Sequence, residues 1–375
     1  MNEVGRIAVF LVIVLGLWTL LHAYVFWRVC SVPLVVESLS RRGLLAIFAV
    51  LWLTYPLGRL LDRRGLELLA YPLEFVGAVW MGALFLLFVA LLLADVVSVA
   101  LVWLPEAAPW IRLGAAALVL GLTAIGVVQF LRGPTVVEHE VRLAGLPQER
   151  DGTVLVQVSD LHLGSLLGER WLAARLAQVA ALEPDLVAVV GDLVDGNAAH
   201  VERLVPRLRD LRAPLGVWAV TGNHEYYAGL EQSVKLLEAA GFRVLRDRAE
   251  EAAPGLVVAG IDDLTARQQF NVKGTPLETA LTGRPAGATV LLSHTPWEAE
   301  KAAALGVGLM LSGHTHDGQI WPFNYLVALR YPFVGGTYDV GAMRLVVCRG
   351  TGTWGPPLRL GRRSEIVKIT LRAAA

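Results

Sequence analysis

The sequence predicts a bundle of membrane-crossing helices followed by an α/β domain, on two observations. Residues 1–133 carry four long, nearly uncharged apolar stretches. Beyond Gly133-Pro134, short apolar runs alternate with segments of helical periodicity, the grammar of βαβ units. Of the 375 residues, 55% are hydrophobic and the mean hydropathy is +0.55, too apolar for a wholly soluble chain. Formal net charge is zero and no long basic run occurs, so nothing advertises nucleic-acid binding. The two cysteines, Cys30 and Cys348, lie in very different segments and make no disulfide framework.

The spans are expected at about 7–27, 44–61, 73–93 and 111–131, each long enough to cross a hydrocarbon layer about 30 Å thick at about 1.5 Å per residue. The first is too long for a secretory core and lacks a cleavage site, so it is read as a helix that stays in the membrane. Pro33, Arg41 and Arg42 punctuate the first break, residues 62–65 the second, and Pro105, Glu106 and Pro109 the third. Thr54-Tyr55-Pro56 is expected to kink or end the second helix. His22, Glu74 and Asp95 fall near predicted span ends and read as interfacial groups on an anchor. Arg6, Arg59, Arg63, Arg64, Arg132 and Arg142 share the side of the termini, against Arg28, Arg41, Arg42 and Arg112 opposite; this bias favours a multi-pass protein of the bacterial inner membrane with a cytoplasmic C-terminal domain.

In the domain, 134–375, residues 137–143 alternate as a half-buried strand. Strands follow at 154–158, 186–190 and 217–220, with helices at 171–182, 201–211 and 230–240. Further strands are expected at 256–261, 289–292, 308–311, 343–348 and 365–371. Polar residues gather just past the carboxyl ends of the apolar runs, where open α/β sheets place their ligand crevices. The first strand ends in Asp160-Leu161-His162, the next in Gly191-Asp192, the third in Gly222-Asn223-His224-Glu225; later runs end in His294 and in Gly313-His314-Thr315-His316. Five of the chain's eight histidines occupy these strand ends. A lone His-x-His is more often an ordinary turn; the whole set points elsewhere. Carboxylate, amide and imidazole donors without thiolate suit Mn²⁺, Fe or Zn²⁺. Seven such side chains exceed the needs of one ion and match two if a carboxylate bridges. Two ions about 3.5–4 Å apart clamp a phosphoryl oxygen and activate a water as hydroxide for in-line attack.

These five blocks resemble, in order, those of the calcineurin-like metallophosphoesterases, over residues 153–371. The resemblance implies two packed mixed β-sheets flanked by helices. It implies that Asp160, His162 and His316 hold one divalent ion, that Asn223, His294 and His314 hold the other, and that Asp192 bridges. His224 resembles the family's non-ligand catalytic histidine, which contacts the phosphate and helps the leaving oxygen depart. Residues 313–323 and 349–360 are similar to the YkuE-like, membrane-associated bacterial branch and to the chlamydial-type UDP-diacylglucosamine pyrophosphatase. That branch usually has Gly where this chain has Asp317, a departure that adds a carboxylate beside the metals and bears on substrate preference.

The expectation is a membrane-anchored dinuclear phosphoesterase acting on a phosphodiester or pyrophosphate, with manganese the first choice of metal and a lipid-linked or nucleotide-lipid substrate at the bilayer. A non-catalytic metal-binding scaffold and a nuclease of the same superfamily are the alternatives; the mixed charge around the motifs lacks the basic, aromatic-interleaved groove of the latter. Asp195 is either a brace for a histidine or a helix cap. Asp262 and Asp263 read as a strand-end turn. Trp297, Trp321, Phe323, Tyr325, Tyr331 and Trp354 are core or interface aromatics. His139 and His200 fit no block and read as surface residues.

Overall fold

The computed structural model describes residues 3–374. Its contacts divide the chain into two compact units, one running to Leu131 and including Gly355–Leu360, the other comprising Arg132–Trp354 and the chain from Gly361.

The first unit contains α1 (Glu3–Val29), a short α2 (Pro33–Ser38), α3 (Arg41–Arg63), α4 (Glu67–Ala100) and α5 (Ala107–Leu131). The four long helices have the length and apolarity to cross a membrane. Most of their large apolar side chains are exposed, as lipid-facing residues are, while Val25, Phe48, Leu84 and Leu91 form a small core with Trp18, Tyr24 and Trp80 around it. α3 does not end at Pro56. Proline cannot donate to the Trp52 carbonyl one turn back, and the Trp18 indole N–H from α1 donates to it instead at 3.2 Å. α3 and α4 approach closely at glycines: a Cβ on Gly77 would stand 2.5 Å from the Tyr55 backbone nitrogen. The polar residues expected at span ends lie deeper. α4 begins at Glu67, so Glu74 sits two turns inside it, fully buried beside Arg59 at 3.9 Å. His22 is also buried, accepting from the Trp80 indole at 2.9 Å. Within this unit, Gly355–Leu360 run along α5, where the Arg359 N–H donates to the Gly126 carbonyl at 3.0 Å.

The second unit holds twelve strands: β1 (Thr135–Leu143), β2 (Val154–Val158), β3 (Leu186–Val190), β4 (Val217–Val220), β5 (Arg243–Val244), β6 (Arg248–Ala253), β7 (Leu256–Gly260), β8 (Ala288–Leu292), β9 (Leu309–Ser312), β10 (Gly336–Val340), β11 (Met343–Val347) and β12 (Glu365–Ala373). Its helices are α6 (Glu169–Ala180), α7 (Ala198–Glu202), α8 (Val205–Leu208), α9 (Asn223–Ala228), α10 (Leu230–Ala239), α11 (Leu264–Gln269), α12 (Pro276–Leu281), α13 (Ala299–Ala304) and α14 (Phe323–Ala328). Two six-stranded mixed sheets result, in the orders β1-β12-β2-β3-β4-β5 and β10-β11-β9-β8-β7-β6.

Alternation assigns the two faces of each strand. In β3, Leu186, Ala188 and Val190 face an inner core shared with Val258, Val290, Leu292 and Leu311 of the other sheet, while Val187 and Val189 face an outer core shared with α6 and α10. A third core packs α12 and α13 on the far side. Strands buried on both faces need apolar residues at every position, which is why these runs are continuous.

The helix expected over 201–211 is instead α7 and α8. Pro206 at the start of α8 has no N–H to continue the preceding turn. β5, only two residues long, β6 and β10 stand at sheet edges, and the charged Arg248-Ala249-Glu250-Glu251 of β6 shows none of the apolar continuity that reveals inner strands.

Gly77→Leu should force α3 and α4 apart at an overpacking cost of about 1–3 kcal/mol. Thermal unfolding of the detergent-solubilised chain would show this as a lower midpoint.

Candidate metal centre

Asp160, Asp192, Asn223, His294 and His314 each follow the carboxyl end of a strand: β2, β3 and β4 in one sheet, β8 and β9 in the other. Asp160, Asp192 and His294 are almost wholly inaccessible to solvent. His162 and His316 lie two residues beyond Asp160 and His314 on the same loops. The loops double back tightly: Asp160, His162, Asp192, His314 and His316 all adopt positive φ, between 44° and 70°. Such strain in non-glycine residues persists where surrounding structure enforces it, typically at functional sites.

These side chains converge in three overlapping groups, Asp160 with His162 and His316, His162 with Asp192 and His224, and Asp192 with His294 and His314, the possible ligand atoms of each lying within 4.8 Å of one another. His316 Nε2 stands 3.3 Å from Asp160 Oδ1, and His294 Nε2 stands 3.1 Å from Asp192 Oδ2. His162 Nε2 and His316 Nε2 lie 3.1 Å apart, and His314 Nδ1 and His294 Nε2 lie 3.3 Å apart. His162 and Asp192 each belong to two groups, and of the two carboxylates Asp192 is the shared one, as a bridging carboxylate must be.

The surroundings aim each ring. The Val190 carbonyl lies 2.8 Å from His294 Nδ1 and accepts its proton, which leaves the Nε2 lone pair on the side of Asp192 for an ion. The Tyr331 hydroxyl, 2.7 Å from His314 Nε2, turns Nδ1 inward. Asp195 accepts from His224 Nδ1 at 3.0 Å, so it braces this histidine, while Asn197 caps α7. Asn223 opens α9, its Oδ1 buried and without a hydrogen-bond partner; His162 Nδ1 is likewise buried and unbonded. An amide oxygen and an imidazole nitrogen held this way suit cation ligation, and the full set of carboxylate, amide and imidazole donors fits a pair of divalent ions.

Charge follows the same plan. Burial resists ionisation of Asp160 and Asp192, yet the neighbouring His316 and His294 hold their carboxyls below the usual carboxylate range. Burial would neutralise His294, but Asp192 and Asp160 push it well above its ordinary value. His162 and His314 are each pushed down to about 3, by burial first and then by the neighbouring cationic imidazoles His224 and His294 respectively. For His224 burial again opposes protonation, and Asp192 and Asp195 outweigh it, pushing the imidazole up to about 9.

Several contributors escape a reading of the sequence alone. The buried Glu225 carboxylate accepts four backbone N–H groups, from Gly222 at 2.6 Å, Asp192 at 2.9 Å, Leu193 at 2.8 Å and Val194 at 3.0 Å. It thereby joins the loops after β3 and β4. Its signal was present: a glutamate third in a helix reaches back to the N–H that precedes it. Ser159 Oγ lies 2.5 Å from Asp160 Oδ2, and a Cβ on Gly313 would collide with both groups, so glycine is required there. Asp317 is not directed at the centre. Its positive φ of 50° suits the glycine expected at this place, and its carboxylate pairs with Arg349 at 3.2 Å and Arg362 at 3.5 Å. Asp263 caps α11 and also accepts from Thr295, while Asp262 binds Arg246. His139 and His200 are half-buried.

Aromatic groups rim the centre. Tyr227 and Trp354 have ring centroids 5.3 Å and 5.8 Å from His224, and Tyr331 stacks on Trp297. α14 buries no residue; Trp321, Phe323, Tyr325, Leu326 and Leu329 are all exposed, as is Trp354.

Two sheets bring strand-end carboxylates and imidazoles to one point, a donor set that fits a pair of divalent ions, and comparison with known proteins agrees on the class. The family model for calcineurin-like phosphoesterases matches residues 153–318. A zebrafish (Danio rerio) transmembrane protein with a metallophosphoesterase domain is 37% identical over 265 residues, covering 68% of this chain and 61% of that protein. An Aquifex aeolicus metallophosphoesterase is 36% identical over 221 residues, 58% of this chain and 84% of the relative. The Bacillus subtilis metallophosphoesterase YkuE is 31% identical over 249 residues, 63% and 85%. The chain belongs to the calcineurin-like metallophosphoesterase family. It spans about three fifths of the length of the vertebrate relatives. The family fold implies a dinuclear divalent-metal site, for which the clusters above supply the donors.

Glu225→Gln puts an amide N–H₂ among backbone N–H donors and should loosen both loops. Metal affinity is expected to fall about 10–100-fold, read by Mn²⁺ titration.

Proposed function

We propose that this chain is a membrane-anchored, dinuclear metal-dependent phosphoesterase that hydrolyses a phosphodiester or pyrophosphate bond of a lipid-linked substrate, nucleotide-lipids included. The observation that carries the reading is the sharing of Asp192 between a His162-His224 group and a His294-His314 group, with Asp160, His162 and His316 gathered alongside. Asp160, His162 and His316 would hold one ion and Asn223, His294 and His314 the other, with Asp192 between them. Bound there, a pair of divalent ions, Mn²⁺ first and Fe or Zn²⁺ as alternatives, supplies Lewis-acid charge for the phosphoryl oxygens and acidifies water.

The remaining work falls to the protein. His224, grouped with His162 and Asp192, would donate its Nε2 proton to the leaving oxygen. Asp195 holds the ring in the orientation this needs, with Nδ1 as donor to the carboxylate. Tyr227 and Trp354 border His224 and offer aromatic surface beside the leaving group.

The lipid-linked substrate is supported by the exposed apolar surface of α14 and Trp354, in a unit joined by its own chain to four helices fit to cross a membrane. Tethering raises the local concentration of anything embedded in the same bilayer. The arginine distribution supports an orientation with the catalytic unit on the cytoplasmic side of a bacterial inner membrane.

Purified protein supplied with Mn²⁺ should hydrolyse bis(p-nitrophenyl) phosphate, EDTA should stop it, and Asp192→Asn should lower kcat by at least about 10³-fold. Equal activity in the Asn variant would overturn the reading.

A further inference from the structure

At one end of the helical unit, Arg28 in the last turn of α1, Asp95 near the end of α4 and Arg112 near the start of α5 meet. Arg28 Nε lies 2.6 Å from Asp95 Oδ2, and Arg112 Nε lies 3.1 Å from Asp95 Oδ1. The Tyr24 hydroxyl also donates to Asp95 Oδ2, at 2.8 Å, so the one carboxylate is fully engaged. Arg112 Nη1 donates to Ser31 Oγ at 3.1 Å, and the Arg28 guanidinium lies over the Trp27 ring, 3.6 Å from its centroid. All three charged side chains are between 14% and 18% exposed. Glu37 and Glu106 stand exposed on the segments between these helices, and among the described residues Asp95 is the carboxylate that pairs with the two arginines.

Two guanidiniums therefore share one carboxylate, which leaves a positive charge in a largely desolvated position. A guanidinium keeps several N–H donors beyond the one or two used here. Uncompensated, such a charge is costly among apolar helices. The depth identifies what compensates it. Trp27, Trp103 and Trp110 are exposed at the same end, and indoles in this arrangement mark the headgroup level of a bilayer. α2, with Leu34 exposed and no residue buried, lies between α1 and α3 at that end as an interfacial helix would. Arg41 and Arg42, exposed in the first turn of α3, add to the positive field.

We propose that Arg28 and Arg112 form a binding site for the phosphate of an anionic membrane lipid, which accepts from guanidinium donors beyond those that Asp95 engages. Phosphate accepts from planar guanidinium donors in the geometry carboxylate does. The site belongs to the helical unit and is independent of hydrolysis at the metal centre.

The test uses the full chain in detergent, with thermal unfolding and lipid-titration native mass spectrometry. Phosphatidylglycerol should raise the unfolding midpoint and remain bound, while phosphatidylcholine and inorganic phosphate should do neither. Arg112→Gln should weaken phosphatidylglycerol binding about tenfold. Asp95→Asn removes the competing carboxylate and should strengthen it. The exposed-arginine control Arg41→Gln should change little. Equal response to both lipids, or weakening by Asp95→Asn in parallel with Arg112→Gln, would reduce the cluster to a structural salt bridge and overturn the proposal. Inorganic phosphate matching phosphatidylglycerol would overturn the lipid assignment. If Arg112→Gln fails to fold, the sign of the Asp95→Asn change decides alone.

Discussion

Two carboxylates buried side by side are the constraint on which the catalytic unit depends. Asp160 and Asp192 follow adjacent parallel strands, β2 and β3, and almost no water reaches either. Bare, such a pair is untenable in a low-dielectric interior. The chain answers with imidazoles from the opposite sheet, with backbone N–H groups of His224 and His314 directed at the carboxylates, and with the Ser159 hydroxyl against Asp160. Negative charge fixed in this way holds cations. Much of the local conformation follows: loops turned through positive φ, a glycine at 313 where any side chain would collide, and Glu225 fastening two loops through their backbones.

What could be read in advance depended on how strongly each element was constrained. β3 and β4 are buried on both faces and wholly apolar, and β2, β8 and β9 each carry a single polar residue among apolar ones, so the charged or imidazole residue past the end of each run stands out. The candidate centre was legible for that reason. β6 was not, because an edge strand written Arg248-Ala249-Glu250-Glu251 satisfies water on one side and carries no apolar period. α9 was hidden because its first residues, Asn223, His224 and Glu225, are polar groups serving the site. Asp317 looked like an added carboxylate beside the metals from its place next to His316, yet direction depends on partners distant in sequence, and Arg349 and Arg362 draw it away.

The helical unit repeats the lesson in apolar surroundings. Hydropathy locates spans and says little about which polar groups they enclose. Glu74 and His22 were placed at span ends by window edges, whereas the helices extend past those edges and enclose both. Pro56 failed to end α3 because the carbonyl it leaves unbonded has a donor in Trp18, thirty-four residues earlier than Trp52 in the chain. In both units, polar atoms without local partners are satisfied at long range.

The central claim is that strand-end donors from two sheets enclose two cations, and elemental analysis tests it most directly. Protein purified without chelator and analysed by inductively coupled plasma mass spectrometry should carry close to two divalent transition-metal ions per chain, and the double variant Asp160→Asn, Asp192→Asn should carry essentially none while retaining its circular dichroism. Wild-type protein that binds no transition metal, or a folded double variant that keeps its full complement, would contradict the account.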